Sequence, residues 1–278
     1  MLAETRRKRL MELITNQGFA TLEELVRGLG VSESTVRRDL EALDAAGAIR
    51  RTHGGAVVPG EGRAMPALED RSTTAQDEKR AIGQAAAALV EDGDTILLDG
   101  GTTTLEVARA LAHRPVQVVT NSLPIAQLLT SSKDIDLILV GGYVYPRTGV
   151  AMGPLATATL QGIRVRHAIL GAGGIVADGV YNSNGLLVET EREMMACAQD
   201  VMIVADRSKF GRISLSWLCG FDAIRLLVTD PGLPDEYRSL LEAAGVQIKI
   251  ATPDVEPADV ARGNGLARVN GTGTRDHA

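Results

Sequence analysis

Val31-Ser32-Glu33-Ser34-Thr35-Val36-Arg37-Arg38-Asp39-Leu40-Glu41-Ala42-Leu43 is the stretch whose reading decides the N-terminal fold. Ser32 suits a helix N-cap, and a helix started there brings Val36, Leu40 and Leu43 onto one face at i, i+4 and i+7. At about 100° per residue, Ser34 and Arg38 fall on the opposite face, with Thr35 and Arg37 on its flanks. Such a helix buries an aliphatic stripe and offers hydroxyls and guanidiniums near its N-terminus. Entry into a DNA major groove needs this arrangement, because the first turns of a recognition helix reach base edges and phosphates. A surface helix with solvated arginines reads the same way on these residues alone, so the flanking sequence must decide.

Upstream, Glu4 to Asn16 reads as a helix with Leu10, Leu13 and Ile14 as its buried stripe and Gly18 past its end. Thr21 caps a second helix that carries Leu22, Leu25, Val26 and Leu29 on one face. Gly30-Val31 joins it tightly to the third helix, which makes a helix-turn-helix. Gly47 closes the third helix. Beyond it, Ala48-Ile49-Arg50-Arg51 and Ala56-Val57-Val58 flank Thr52-His53-Gly54-Gly55 as a two-stranded hairpin. Three helices and a basic hairpin make a winged helix over residues 1–58, with Arg51 and His53 carried toward the DNA backbone or minor groove. His53 reads equally well as a turn histidine with no contact. Arg6-Arg7-Lys8-Arg9 spans about one turn, so these residues point in different directions and suit an ordinary solvated face as well.

Set together, Val31-Ser32-Glu33-Ser34-Thr35-Val36-Arg37-Arg38-Asp39-Leu40, Leu43, Gly47 and Arg51-Thr52-His53-Gly54-Gly55-Ala56 resemble the winged helix of the DeoR family of bacterial transcriptional regulators. The pairing of this helix with an Arg-x-His-Gly-Gly-Ala wing is specific, where either half alone is not. The resemblance implies DNA binding. The candidate contacts are Ser32, Ser34, Thr35, Arg37, Arg38, Arg51 and His53.

Charge fits this division. The chain carries a net charge of −6, which alone argues against a nucleic-acid binder. Residues 1–58, however, hold nine Lys/Arg against eight Asp/Glu, and the remainder holds twenty against twenty-seven. Local clusters set the field that a phosphate backbone feels. A composition of 45% hydrophobic and 23% charged residues suits a globular protein with a sizeable core. No apolar run approaches the roughly 18–20 residues of a membrane span, and no apolar segment follows the basic N-terminus as in a secretory signal. Cys197 and Cys219 give neither a disulfide framework nor a metal-ligand spacing. The expected setting is a reduced cytoplasm.

Pro59 through Gln76 lacks periodicity and reads, as residues 59–78, as a linker. From Lys79 the chain alternates helix and strand to about residue 252. Strands are expected at Thr95–Leu98, Val116–Val119, Leu137–Val140, Ala168–Leu170, Val201–Ala205, Leu226–Val228 and Val246–Ile250, with a helix over Ala81–Val90. Apolar strands separated by helices imply a largely parallel sheet covered on both faces, an α/β domain. Residues 253–278 are poor in apolar side chains and read as a disordered tail.

The first three strands end in Asp99-Gly100-Gly101-Thr102-Thr103-Thr104, Thr120-Asn121-Ser122 and Gly141-Gly142. Ligands of open α/β sheets bind beyond the carboxyl ends of strands, so these loops converge on one crevice. Glycines let the backbone approach an anion, and helix N-terminal N–H groups with threonine hydroxyls can hold phosphate. Asp99 suits ligand hydroxyls. A phosphorylated sugar or polyol fits both halves of such a site, although a glycine-threonine loop can also be a plain turn and cap.

This half, too, resembles the DeoR family, whose C-terminal domain is similar to ribose-5-phosphate isomerase and glucosamine-6-phosphate deaminase folds. The matching residues are Leu98 to Thr104, Val119 to Ser122, Val140-Gly141-Gly142, Gly171-Ala172-Gly173-Gly174-Ile175, Glu189 and Ala205-Asp206-Arg207-Ser208-Lys209-Phe210. The resemblance implies phosphate on the first two loops, Lys209 as a cation in the same site with Asp206 positioning it, and Asp99 and Glu189 on sugar hydroxyls. It also implies a Rossmann-like domain. Two departures bear on effector identity: Gly173 stands where many relatives have Asp, and Glu189-Thr190-Glu191-Arg192-Glu193 carries Glu where a basic residue is expected.

The expected function is a DNA-binding transcriptional regulator, a repressor of carbohydrate genes under sugar-phosphate control. It should work as a dimer or larger oligomer on repeated half-sites, with no cofactor, no metal and no catalytic residue. The alternative is a sugar-phosphate isomerase with an accessory DNA module, which would need a carboxylate base that only Glu189 or Asp99 could supply. A nicotinamide sensor fails because Val176 stands where the third glycine of a dinucleotide fingerprint belongs.

Overall fold

The computed structural model describes residues 3–17, 19–52, 55–57 and 73–252. His53, most of the expected linker and the expected tail at 253–278 lie outside the described residues.

The N-terminal module is built from α1 (Ala3–Gln17), β1 (Phe19–Thr21), α2 (Leu22–Leu29), α3 (Glu33–Ala45), β2 (Arg50–Thr52) and β3 (Gly55–Val57). Its core is the set of apolar stripes legible in the sequence: Leu10, Ile14, Leu25, Val36, Leu40 and Ile49 are buried, joined by Ala20 and Ala56. Leu13, Val26 and Leu43 pack half-buried around them. Gly47 ends α3 at φ 70°, donating to the Asp44 carbonyl while Ala48 donates to Leu43. This is a Schellman closure, and the left-handed residue it requires favours glycine. The wing differs from a two-stranded hairpin. β1 adds a third strand in the order β1-β3-β2, with Ala20 opposite Ala56 and Arg51 opposite Ala56 on the other side.

The C-terminal part is an α/β domain on a parallel seven-stranded sheet. Its strands are β4 (Thr95–Leu98), β5 (Val116–Thr120), β6 (Ile135–Leu139), β9 (Val165–Leu170), β12 (Ala198–Val204), β14 (Leu226–Thr229) and β15 (Gln247–Ile250), in the spatial order β15-β14-β12-β9-β4-β5-β6. Alternation along the strands feeds two cores. Ile96 and Leu98 of β4 face α4 (Gln76–Ala87), α5 (Thr102–Leu111) and α6 (Leu123–Leu129). Leu97 faces the opposite layer, with α7 (Pro154–Gln161), α8 (Gly185–Ala196) and α9 (Asp235–Ala243). α4 starts before the expected Ala81 and ends before Val90, because its last turn tightens: Leu89 and Val90 donate to Ala86 and Ala87, three residues back. Among the described residues no helix is long and apolar enough to cross a membrane.

Two small sheets decorate this frame. A hairpin of β7 (Tyr143–Tyr145) and β8 (Val150–Met152) folds back over the ends of β4 and β5. β10 (Gly174–Val176), β11 (Gly179–Asn182) and β13 (Ser216–Cys219) form an antiparallel sheet beside α8.

Candidate functional site

The exposed side of α3 is the first candidate. Ser32 sits at the N-cap with extended backbone, yet its hydroxyl pairs with those of Thr35 at 2.8 Å and Ser34 at 3.1 Å instead of a backbone N–H. Arg37 reaches back one turn to Glu33, with Nη2 2.7 Å from Oε1. Both partners are more than half exposed, so the pair contributes only about 0.3–0.5 kcal/mol and Arg37 is released at little cost. Arg38 is exposed and makes no ion pair or hydrogen bond among the described residues. Arg51 donates to Glu41 Oε1 at 3.0 Å, which ties β2 to the side of α3.

Sequence reading missed the use of the basic run before α1's stripe. Arg6 and Arg7 both donate to the Asp39 carboxylate, which is buried on the inner side of α3. Burial opposes its ionised form, but the hydrogen bonds and charges of Arg6 and Arg7 outweigh this and hold the carboxyl below its ordinary value. The signal was present: Asp39 lies three residues after Val36 and next to Leu40, so a lone acid falls on the buried stripe and needs a cation.

The second candidate lies at the carboxyl edge of the parallel sheet. The chain leaves β4 for β5 and β6 on one side and returns to β9 on the other, so Asp99 and Gly171 flank a topological switch point. Leu98 pairs with Thr120, so Asp99 and Asn121 leave the sheet side by side. Asp99, Thr102, Thr103, Thr104, Thr120, Asn121, Ser122 and Asp206 are all buried.

Several of these groups hold the site together. Thr104 Oγ1 donates to the Gly101 carbonyl at 3.0 Å, and Thr120 Oγ1 donates to Leu98 at 2.7 Å. Ser122 Oγ caps α6 by accepting from Ile125 N–H. Asn121 Nδ2 donates to the Ala151 carbonyl, and Ala151 N–H donates back to Asn121. Thr102 and Thr103 keep hydroxyls with no hydrogen bond among the described residues, beside first-turn N–H groups of α5 that no helical carbonyl satisfies. Asn121 Oδ1 is buried and has no donor among the described residues.

Glycines here serve the hairpin. A Cβ on Gly100 would lie 2.1 Å from Val150 Cγ2, and one on Gly142 would lie 2.8 Å from the Met152 carbonyl. The space that the sequence assigned to an anion above Gly100 is thus filled by β8, while Gly141 has no such neighbour. Gly100→Ala should cost roughly 1–3 kcal/mol by displacing Val150. Thermal melting checks it; an unchanged midpoint would show that β8 does not seat on Gly100.

Asp206 caps the short 3-10 turn Arg207–Lys209, accepting from Ser208 N–H at 3.0 Å, and its carbonyl accepts from Lys209 N–H. Asp206 therefore fixes the turn that bears the half-buried Lys209. Glu189 is placed elsewhere. It is exposed on α8, where partial desolvation and then the Glu24 carboxylate of α2 push its own carboxyl up. The inward acid of α8 is Glu191, fully buried, and burial first, then the Asp99 charge, push its carboxyl up. α8 also lies beside β1 of the winged helix.

A cavity of about 380 Å³ opens on the flank of this site, between α4 and α5. Thr102, Leu105, Glu106 and Arg109 line it from α5, and Gln76, Lys79 and Arg80 from α4. None of Thr120, Asn121, Ser122, Gly141, Gly142, Asp206 or Lys209 reaches it. Its cations outnumber its one carboxylate, and Lys79 is buried with Nζ donating to the Thr74 carbonyl. Arg80 and Arg109 carried no signal, because only the packing of α4 on α5 brings them together.

Comparison with known proteins covers both modules. The family model for the DeoR-like helix-turn-helix domain matches residues 6–61, and that for the DeoR C terminal sensor domain matches residues 74–231. The chain is 33% identical over 247 residues to the glycerol-3-phosphate regulon repressor of Escherichia coli (strain K12), covering 88% of this chain and 98% of that one. It is 33% identical to the HTH-type transcriptional regulator IolR of Bacillus subtilis (strain 168), again over 88% and 98%. With the transcriptional repressor AccR of Agrobacterium fabrum it shares 34% identity, over 82% and 90%. Among solved structures, ribose 5-phosphate isomerase A of Methanocaldococcus jannaschii aligns at a TM-score of 0.38 and 20% identity, over 49% of this chain and 55% of that one.

Proposed function

The chain belongs to the DeoR family of transcriptional regulators, and from that premise we propose how its DNA-binding and sensor domains act as one switch. The effector is a phosphorylated sugar or polyol, as the name of the Escherichia coli relative suggests for its own regulon. Its phosphate sits on the first turn of α5, on the Thr102 and Thr103 hydroxyls, with Lys79 of the adjoining cavity and Lys209 of the β12 loop as cations. Its hydroxyls meet Asp99 and the unsatisfied Asn121 Oδ1. Gly101, Thr104, Thr120, Ser122, Gly141, Gly142 and Asp206 hold these groups in place.

The output is α3, which enters the major groove with Ser34, Thr35, Arg37 and Arg38, while Arg51 steadies the wing. Arg38 carries this reading: an exposed, unengaged guanidinium on the outer face of a helix whose inner face is fully spent in the core. A single winged helix binds weakly, so the working form is a homo-oligomer on repeated half-sites in the cytoplasm. Repression is the sense of regulation that its relatives' names favour. α8 links the two parts, with Glu191 beside the crevice and Glu189 beside α2. An effector that moves α8 alters the footing of the winged helix. The sensor reading outweighs an isomerase one because the chain is similar over most of its length to repressors, and Glu189, one of the two candidate bases, is exposed on α8.

A thermal-shift panel of sugar and polyol phosphates tests the site. At a hundredfold excess over its dissociation constant, the effector adds about 2.7 kcal/mol, roughly 5–10 °C for a domain of this size. Lys209→Ala should lose most of that shift. If no phosphorylated sugar raises melting, or Lys209→Ala leaves the shift intact, the site is wrong.

A further inference from the structure

The cleft between α4 and α5 holds hydrogen-bond donors that the fold leaves unused. The two helix backbones touch at Gly83, where an added Cβ would lie 2.6 Å from the Glu106 carbonyl carbon. Before that contact, Gln76, Lys79 and Arg80 of α4 share the cavity of about 380 Å³ with Thr102, Leu105, Glu106 and Arg109 of α5. Three cations thus stand against one carboxylate. Arg80 and Arg109 are engaged only in loose intrahelical pairs, to Asp77 at 4.0 Å and to Glu106 at 3.4 Å, and each is more than half exposed. Neither guanidinium, nor the Gln76 amide, makes a hydrogen bond among the described residues. Thr102 is only 5% exposed, yet its hydroxyl has no hydrogen-bond partner among the described residues either. Buried polar side chains are ordinarily hydrogen-bonded, so a nearly buried hydroxyl lining a cationic cavity points to a ligand.

We propose that this cleft is a second anion site, which binds a small phosphate-bearing ligand on the Arg80 and Arg109 guanidiniums and the Gln76 amide, with Thr102 at its inner end. Phosphate oxygens accept hydrogen bonds and do not donate, and these groups supply donors, two of them planar forks that fit a phosphate bidentately. Thr102 and Arg109 lie about 10 Å apart along α5. The ligand therefore has the unsatisfied N–H groups of the first turn at one end and a guanidinium at the other. Leu105 gives the cavity an apolar wall. Ligand pockets run from about 300 Å³ upward, so a small phosphorylated metabolite fits as well as the bare ion.

The site stands on the cavity and its unused donors, whether or not the crevice senses a sugar phosphate. Asp99, Asn121 and Lys209 do not line it, whereas Thr102 and Lys79 do. With an effector phosphate on the same threonine and lysine, two anions would crowd one edge of α5, so each ligand should weaken the other by an equal factor. That antagonism rests on the sensor reading of the crevice.

The test uses the full chain, with inorganic phosphate and ribose 5-phosphate as probes and chloride holding the ionic strength constant. The probes should raise melting in wild type, and the concentration giving half the effect should rise about 10-fold in Arg80→Ala and in Arg109→Ala. Without ligand both variants should melt as wild type, because each gives up only a loose exposed pair. Lys209→Ala should keep the Arg109-dependent response. A response to inorganic phosphate assigns the site to the free ion as well, and an Arg109-dependent response to ribose 5-phosphate alone assigns it to an ester. A response lost in Lys209→Ala and kept in Arg109→Ala would place the anion in the crevice and overturn the second site, as would the lack of any Arg109-dependent response to either probe. An Arg109-dependent response with no Lys209-dependent one would refute these probes as crevice effectors and leave the second site standing.

Discussion

Arg38→Ala weakens operator binding by roughly 1–3 kcal/mol for each docked copy, about 5- to 150-fold, if α3 is the reading head. Fluorescence anisotropy against a duplex that the protein selects from a random pool measures this. The folded state should lose nothing, because Arg38 has no partner to give up among the described residues. Melting temperature and effector-induced shift should therefore match wild type. Arg37→Ala should cost less, since Arg37 must first leave Glu33. Unchanged affinity in Arg38→Ala would remove α3 from the interface.

Asp39→Ala acts on the other side of the same helix and through stability. It leaves Arg6 without its buried counter-charge, at a cost of about 3 kcal/mol. This is the low end for breaking a buried pair, because Arg7 is 42% exposed and can turn to solvent. Hydrogen exchange should report the loss in α1 and α3 and not in the sheet β4–β15. Protection of α1 equal to wild type would contradict the clamp. The pH dependence has a definite sign. Asp39's carboxyl is held below its ordinary value, so its contribution is complete above about pH 4, the unfolded value, and is lost as pH falls toward the folded one. Asp39→Ala should lack that acid-dependent component.

What was legible in the sequence is what obeys a local period. The stripe Val36, Leu40, Leu43 and the strands expected at Thr95–Leu98 and Val116–Val119 were readable because each side chain's face follows from its spacing along one element. What was not legible depends on partners far along the chain. β1 is three residues long and is a strand only because Ala20 meets Ala56. The β7–β8 hairpin has no strong period, and its role shows only when Val150 lands on Gly100. In α8, spacing alone does not say which of Glu189 and Glu191 turns inward. The resemblance pointed to Glu189, whereas the α/β packing buries Glu191 and leaves Glu189 exposed. The cationic cavity was hidden for the same reason, since Lys79 and Arg109 are thirty residues apart and meet across two helices.

The central claim is that a sugar phosphate at the switch point of the sheet controls whether α3 docks on DNA. It is tested most directly by measuring affinity for the selected duplex with and without the sugar phosphate that shifts melting, in wild type and in Lys209→Ala. A coupling of about 1–3 kcal/mol, roughly 5- to 150-fold in wild type and absent in Lys209→Ala, is the predicted result. Equal DNA affinity with and without that saturating ligand would contradict it.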